Sequence, residues 1–132
     1  MKIFENPLYK KDIKYVAELS YAWEKLKNKV IMISGASGMI GSFLIDVIMY
    51  RNQMFGDNCR VIALGRDTKK AKERFIHYWN KDTFLFIAQD INIPLDVDLG
   101  TINYILHAAS NTHPIAYATD PIGTMTTNII GT

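Results

Sequence analysis

The run Val30-Ile-Met-Ile33, followed at once by Gly35-Ala36-Ser37-Gly38-Met39-Ile40-Gly41 one residue on, constrains this chain more than any other stretch. Val30, Ile31 and Ile33 are β-branched, and a short unbroken apolar run of this kind reads as a strand buried on both faces of a parallel sheet. Ile40, Phe43, Leu44, Val47 and Ile48 then recur at helical spacing, so a helix is expected from Gly38 to about Tyr50, able to lay one face on that sheet. Between strand and helix the glycines follow a G-x-x-G-x-x-G pattern. Gly35 permits a tight turn, Gly38 lets the main chain approach a pyrophosphate, and Gly41 allows close helix–strand packing. Ser37, Met39 and Ile40 join them in the expected phosphate cradle, because a helix N-terminus offers free N–H groups and the positive end of its dipole. The Lys-Ser/Thr ending of a P-loop is absent, which disfavours ATP or GTP hydrolysis.

The remaining chain repeats the strand–helix alternation. A helix is expected from about Asp12 to Leu26, after a turn-like Asn6-Pro7. Strands are expected over Arg60–Leu64, Phe84–Ala88 and Asn103–Ala108, with a helix from Thr68 to about Trp79 and a last helical stretch beginning near Ala116 or after Pro121. This β-α-β-α-β-β-α order predicts an α/β fold: a doubly wound, mostly parallel Rossmann-type sheet of about four strands, with helices on both faces and an extra N-terminal helix. The division expected is a helical segment over 1–28 and a dinucleotide-binding domain over 29–132.

Composition narrows the partners. A chain of 132 residues, 48% hydrophobic and 21% charged, suits one soluble globular domain, and the formal net charge is only +2. Lys69, Lys70, Lys72 and Arg74 are interleaved with Glu73 and read as one solvated helix face, so no nucleic-acid partner is expected. A single cysteine, Cys59, leaves no internal disulfide, no Cys/His group has metal-site spacing, and no apolar stretch reads as a signal or a membrane span. A cytoplasmic setting without membrane partners is the expectation.

Several further stretches, taken in order with the glycine turn, resemble the extended short-chain dehydrogenase/reductase superfamily, in its NAD-dependent epimerase/dehydratase branch. Asp90-Ile91 after the third strand looks like the pair that contacts adenine. His107-Ala108-Ala109, followed by Ser110, looks like the cofactor wall at the fourth strand. Asp120-Pro121 and Asn128-Ile-Ile-Gly131-Thr132 are similar to the family's proline and Asn-x-x-Gly-Thr helix. The resemblance covers about residues 30–132. It implies an NAD(P) cofactor, a nucleotide-sugar substrate for the full-length enzyme and a homo-oligomer. It places Asp90 on the adenine amino group and the small Ala108 and Ala109 against the cofactor, while His107 is read as a core histidine and Asn128 as a cap or bridge between backbone groups.

The tip after the second strand, Leu64-Gly65-Arg66-Asp67, bears on the choice of cofactor. Glycine stands where an acid would bond the ribose 2′-hydroxyl of NAD, and Arg66 follows it, so the reading leans to NADP. Two alternatives stay open: Asp67 turning inward, and Arg66 stacking on adenine. The resemblance also implies a catalytic Tyr-x-x-x-Lys pair, in which lysine lowers the tyrosine pKa. Tyr21-Ala-Trp-Glu-Lys25 has the spacing but precedes the glycine turn and is read as coincidence. The expectation is therefore the cofactor-binding portion of a nucleotide-sugar epimerase or 4,6-dehydratase, truncated before its catalytic and substrate-binding parts, inactive alone and prone to self-association. The alternatives are a non-catalytic dinucleotide sensor or interaction module, and an atypical reductase of the same superfamily.

Overall fold

The structure, a computed structural model, describes residues 3–110 and 114–131. Four strands, β1 (Val30–Ser34), β2 (Arg60–Gly65), β3 (Phe84–Ala88) and β4 (Tyr104–His107), form one sheet in the order β3-β2-β1-β4. Every pairing is parallel; Ile31 stands beside Val61 on one side and Tyr104 on the other. The central strands carry the expected buried runs: Ile33, Val61, Ile62 and Ala63 are wholly buried.

The helices start and stop where local chemistry directs. In α1 (Pro7–Glu18) Pro7 fills the first turn, where its missing N–H costs nothing, and the Asn6 side chain accepts from the Leu8 N–H at 2.9 Å. The turn-like Asn6-Pro7 is thus a helix start, and the helix lies earlier than the expected 12–26; Trp23–Lys25 form only a short 3-10 turn. Helix α2 (Met39–Phe55) outruns its expected end and stops at Gly56, whose φ of 66° is the left-handed cap that glycine adopts without strain. Helix α3 (Thr68–Arg74) begins at Asp67, whose carboxylate accepts from the Lys70 N–H at 2.9 Å. It stops five residues short of Trp79 because Phe75 leaves helical geometry to be fully buried, 5.2 Å from the Phe84 ring.

The two sheet faces are covered differently. Ile45, Ile48 and Met49 of α2 and Ala71 of α3 pack with Ile31, Ile33, Val61 and Ala63 on one face. The opposite face, Met32, Ile62 and Leu64, meets Ile91, Leu95, Leu99 and Ile102 of the β3–β4 connection. That connection is irregular, in keeping with the expected β-α-β-α-β-β-α order, which places no helix between the third and fourth strands. Pro94 and Gly100, at φ 68°, interrupt any helical run.

Helix α1 adds an outer layer, packing Ile13 and Ala17 on Val47 of α2. Beneath it Asp46 is wholly buried, which costs several kcal/mol unless the charge is paired. Arg74 of α3 forms an ion pair with it, and the Tyr9 hydroxyl donates to the same carboxylate. The Arg74 guanidinium lies 4.6 Å from the centre of the Phe4 ring, so the N-terminal segment is fastened to α2 and α3 by one polar cluster. Beyond β4, α4 (Pro114–Thr119) and α5 (Pro121–Ile129) follow in sequence. No helix among the described residues is long and apolar enough to cross a membrane.

Candidate functional site at the strand carboxyl ends

All four strands point their carboxyl ends at one cavity of about 280 Å³. Open α/β sheets bind ligands at this end, where the strand order reverses between β1 and β4. Its floor is the glycine turn. Gly35 has φ 65°, and a Cβ there would lie 2.5 Å from the Ala108 carbonyl oxygen, so only glycine lets β4 close on the turn. A Cβ on Gly41 would lie 2.6 Å from the Gly35 carbonyl oxygen, which holds α2 directly against the turn. The Gly38 N–H donates to that same carbonyl at 2.9 Å, and no side chain caps α2. The first-turn N–H groups of a 17-residue helix are thereby left for an anion.

Gly35, Ser37, Gly38, Arg66, Asp90, Ile91, Ala108, Ala109 and Ser110 all line this cavity. Met39, Ile40 and Gly41 do not. Met39 and Ile40 are 87% and 64% exposed, so any contribution they make to a phosphate comes from their backbone, and Gly41 serves packing. Asp90 stands at the end of β3 with Oδ1 accepting from the Asn92 backbone N–H at 2.9 Å and the Asn92 side-chain amide at 3.1 Å. A Cβ on Gly131 would lie 2.8 Å from the Ile91 side chain, so the end of α5 is pressed against the cavity wall.

The remaining motif residues have structural duties. Asp120 caps α5 by accepting from the Gly123 N–H at 2.9 Å, with Pro121 in the first turn. The Asn128 side chain donates to the Thr124 carbonyl at 2.9 Å, while Thr132 lies outside the described residues. His107 is only half satisfied as a core histidine: Nδ1 lies 2.9 Å from Ser34 Oγ, and its buried Nε2 has no partner among the described residues. The Lys25 carbonyl accepts from the hydroxyl of Tyr104, the first residue of β4, which puts the Tyr21–Lys25 spacing at the opposite end of the sheet from the cavity.

Sequence reasoning missed Ser34, Lys70, Gln89, Asn92 and Thr127 in the lining. Lys70 was taken for a solvated face; the Asp67 cap three residues earlier was the signal that this turn of α3 begins directly at the strand end. Ser34 and Asn92 could be found only by asking which residue ends each strand. Asn92 Oδ1 is a second buried polar atom without a partner among the described residues, and such orphans gather where a ligand is held. The glycine cradle, the uncapped helix and this orphan fit a dinucleotide.

Comparison with known proteins agrees with this geometry. Residues 31–132 match the model of the "NAD dependent epimerase/dehydratase family". The chain is similar to UDP-glucuronic acid decarboxylase 4 of Arabidopsis thaliana, 32% identical over 129 residues, covering 93% of this chain and 27% of that protein. It is also 32% identical over 104 residues to UDP-glucuronic acid decarboxylase 1 of Danio rerio, covering 79% of this chain and 23% of that protein. The chain thus spans about a quarter of the length of these relatives. The X-ray structure of Pen from Bacillus thuringiensis shares the fold, with a TM-score of 0.62 at 23% identity over 80% of this chain and 32% of that one. With more than half its length matched and a partial Rossmann sheet in place, the chain belongs to the NAD-dependent epimerase/dehydratase family.

Proposed function

We propose that this chain is the NAD(P)-binding portion of a nucleotide-sugar enzyme, with a lean to NADP. The observation that carries the reading is the approach of Gly35 to the Ala108 carbonyl beneath an uncapped α2, a cradle that a side chain would fill. Gly35 and Gly38 with the first-turn N–H groups of α2 hold the pyrophosphate. Asp90 and Ile91 hold adenine, and Ala108, Ala109 and Ser110 form the wall along β4. When bound, the cofactor supplies reversible hydride transfer with a sugar carbon.

The lean to NADP has support beyond Arg66. Asp67 Oδ1 accepts from the Lys70 N–H and caps α3, which ties that carboxylate to its own helix. A Cβ on Gly65 would meet the Phe86 ring at 3.2 Å, so the position that carries an acid in NAD-preferring sites is partly filled by a neighbour. The relatives named above are UDP-glucuronic acid decarboxylases, which makes UDP-sugars the substrate class to try first with the full-length enzyme. Tyr21 and Lys25, despite their spacing, are remote from the cavity and are given no part in proton transfer.

Titration calorimetry with NADP and NAD tests the reading. Saturable binding of at least one, tighter for NADP, is expected; a folded sample that binds neither removes the proposal.

A further inference from the structure

A cavity of about 550 Å³ lies between the N-terminal segment, α1, α2 and the residues that follow α3. Among the described residues it shares no lining residue with the strand-end cavity, and it is the larger of the two. Asp46, Tyr50 and Gln53, at i, i+4 and i+7 on α2, form one wall, and Lys10 and Ile13, one turn apart on α1, form another. Phe4 closes the space. Its ring centre stands 5.1 Å from that of His77 and 5.8 Å from that of Tyr78, edge to face with both. Phe4 and His77 also border a neighbouring groove of about 530 Å³, which passes Arg74 and opens at Ser37 and Lys70.

The polar groups of the 550 Å³ cavity divide into two sets. Asp46 is already engaged, by the ion pair with Arg74 and by the Tyr9 hydroxyl. The others are uncommitted. Among the described residues, Lys10 has no carboxylate within ion-pair distance, and the Tyr50 hydroxyl, the Gln53 amide and the His77 ring nitrogens make no hydrogen bond. An ammonium, a phenol and an amide therefore stand ready to donate around a space walled by aromatic rings. Ligand sites have this make-up: apolar and aromatic walls, a few convergent polar groups, and about 300–1,000 Å³ of room, often where two structural units meet. Glu5 borders the same cavity, so one negative charge suits an occupant better than the several of a nucleotide's phosphates.

We infer that this cavity is a second ligand site, which takes a planar aromatic molecule carrying one acidic group. The rings of Phe4, Tyr50 and Tyr78 receive the aromatic part, and Lys10 receives the acid, with the Tyr50 hydroxyl and the Gln53 amide as further donors. An occupant touches the N-terminal segment, α1 and α2 at once, and so stabilises the attachment of the first to the others. The site stands independently of the cofactor reading.

The test is titration of the full chain with 2-naphthoate, its neutral isostere 2-naphthamide and the cation 2-naphthylmethylamine, followed by calorimetry. Wild type, Lys10→Met and Gln53→Trp are compared, with thermal melts to establish that each variant folds. Wild type is expected to bind 2-naphthoate saturably, most tightly of the three, with a rise in melting temperature and no displacement by NADP. Lys10→Met is expected to weaken 2-naphthoate about fivefold, the loss of one exposed charge-assisted contact, and to leave 2-naphthamide within about twofold. Gln53→Trp, which fills the space from an exposed helix position, is expected to weaken both at least about tenfold. No saturable binding of 2-naphthoate, tighter binding of the amide or the amine, displacement by NADP, or affinities that neither substitution moves would each overturn the inference, and all four leave the cofactor reading untouched.

Discussion

Ser34 Oγ lies 2.9 Å from His107 Nδ1, joining the last residues of β1 and β4 at the rim of the cavity. The same Ser34 oxygen accepts from the Ala109 N–H at 3.4 Å, so one hydroxyl touches both the ring and the main chain that follows β4. The pair holds the Ala108–Ala109 wall at its distance from the glycine turn. Ser34→Ala is expected to cost about 1 kcal/mol of stability and to weaken NADP and NAD equally. Urea unfolding alongside the two titrations checks this, and selective loss of one cofactor would contradict a purely positioning role.

Gly35→Ala is expected to be the most damaging small substitution in the turn. Its methyl would meet the Ala108 backbone in a left-handed conformation, so β4 and the turn must separate. A loss of about 2 kcal/mol or more, with no measurable cofactor binding, is the expected outcome. Calorimetry with a denaturation curve on the same sample gives both numbers.

Gly65→Asp would place an acid at the end of β2 beside Ser37. The Phe86 ring must shift by a few tenths of an ångström to admit it, a strain on the order of 1 kcal/mol. The ratio of NADP to NAD dissociation constants is expected to move about tenfold toward NAD, because the carboxylate repels a 2′-phosphate and accepts from a 2′-hydroxyl. An unmoved ratio would show that the ribose lies elsewhere.

Arg74→Leu leaves Asp46 buried without its cation and is expected to cost about 3–5 kcal/mol at neutral pH. Burial already raises the Asp46 pKa despite Arg74 and Tyr9, and losing the cation raises it further. A carboxyl with a raised folded-state pKa favours folding while protonated and loses that advantage as pH rises through it. The variant should therefore recover stability relative to wild type as pH falls, a trend that melting temperatures across pH will show or refute.

Helix α5 presents Ile122, Met125 and Ile129 at 73%, 60% and 69% exposure, a stripe at i, i+3 and i+7. Concentration-dependent self-association is expected through this stripe, and Met125→Glu should reduce it. Light scattering across a dilution series decides the matter, and a concentration-independent monomer in the wild type rules the association out.

The central strands and the glycine turn were legible because their signals are local: a β-branched run and three spaced glycines need no distant partner. The misreadings have tertiary causes. Phe75 continues the helical phase of α3 in sequence, yet its burial against Phe84 ends the helix. Asn6-Pro7 carries turn and helix-start signals alike, and only the Leu8 N–H bonded to Asn6 distinguishes them. Lys70 looked like one member of a basic face because spacing places it on a helix but does not show where that helix begins relative to the strand ends. The direct β3–β4 link was legible as a stretch without a helix, but its packing over Met32, Ile62 and Leu64 was not, because Ile91, Leu95, Leu99 and Ile102 meet that face only through the tertiary fold.

The Phe4 ring beneath Arg74 has one more implication. Arg74 is a single turn along α3 from Lys70, and Ile3 and Phe4 border the groove that opens at Ser37. Ile3, the first described residue, stands in the wall of that groove. Cofactor affinities measured with and without a purification tag at this end should therefore be compared before any is assigned to the domain itself.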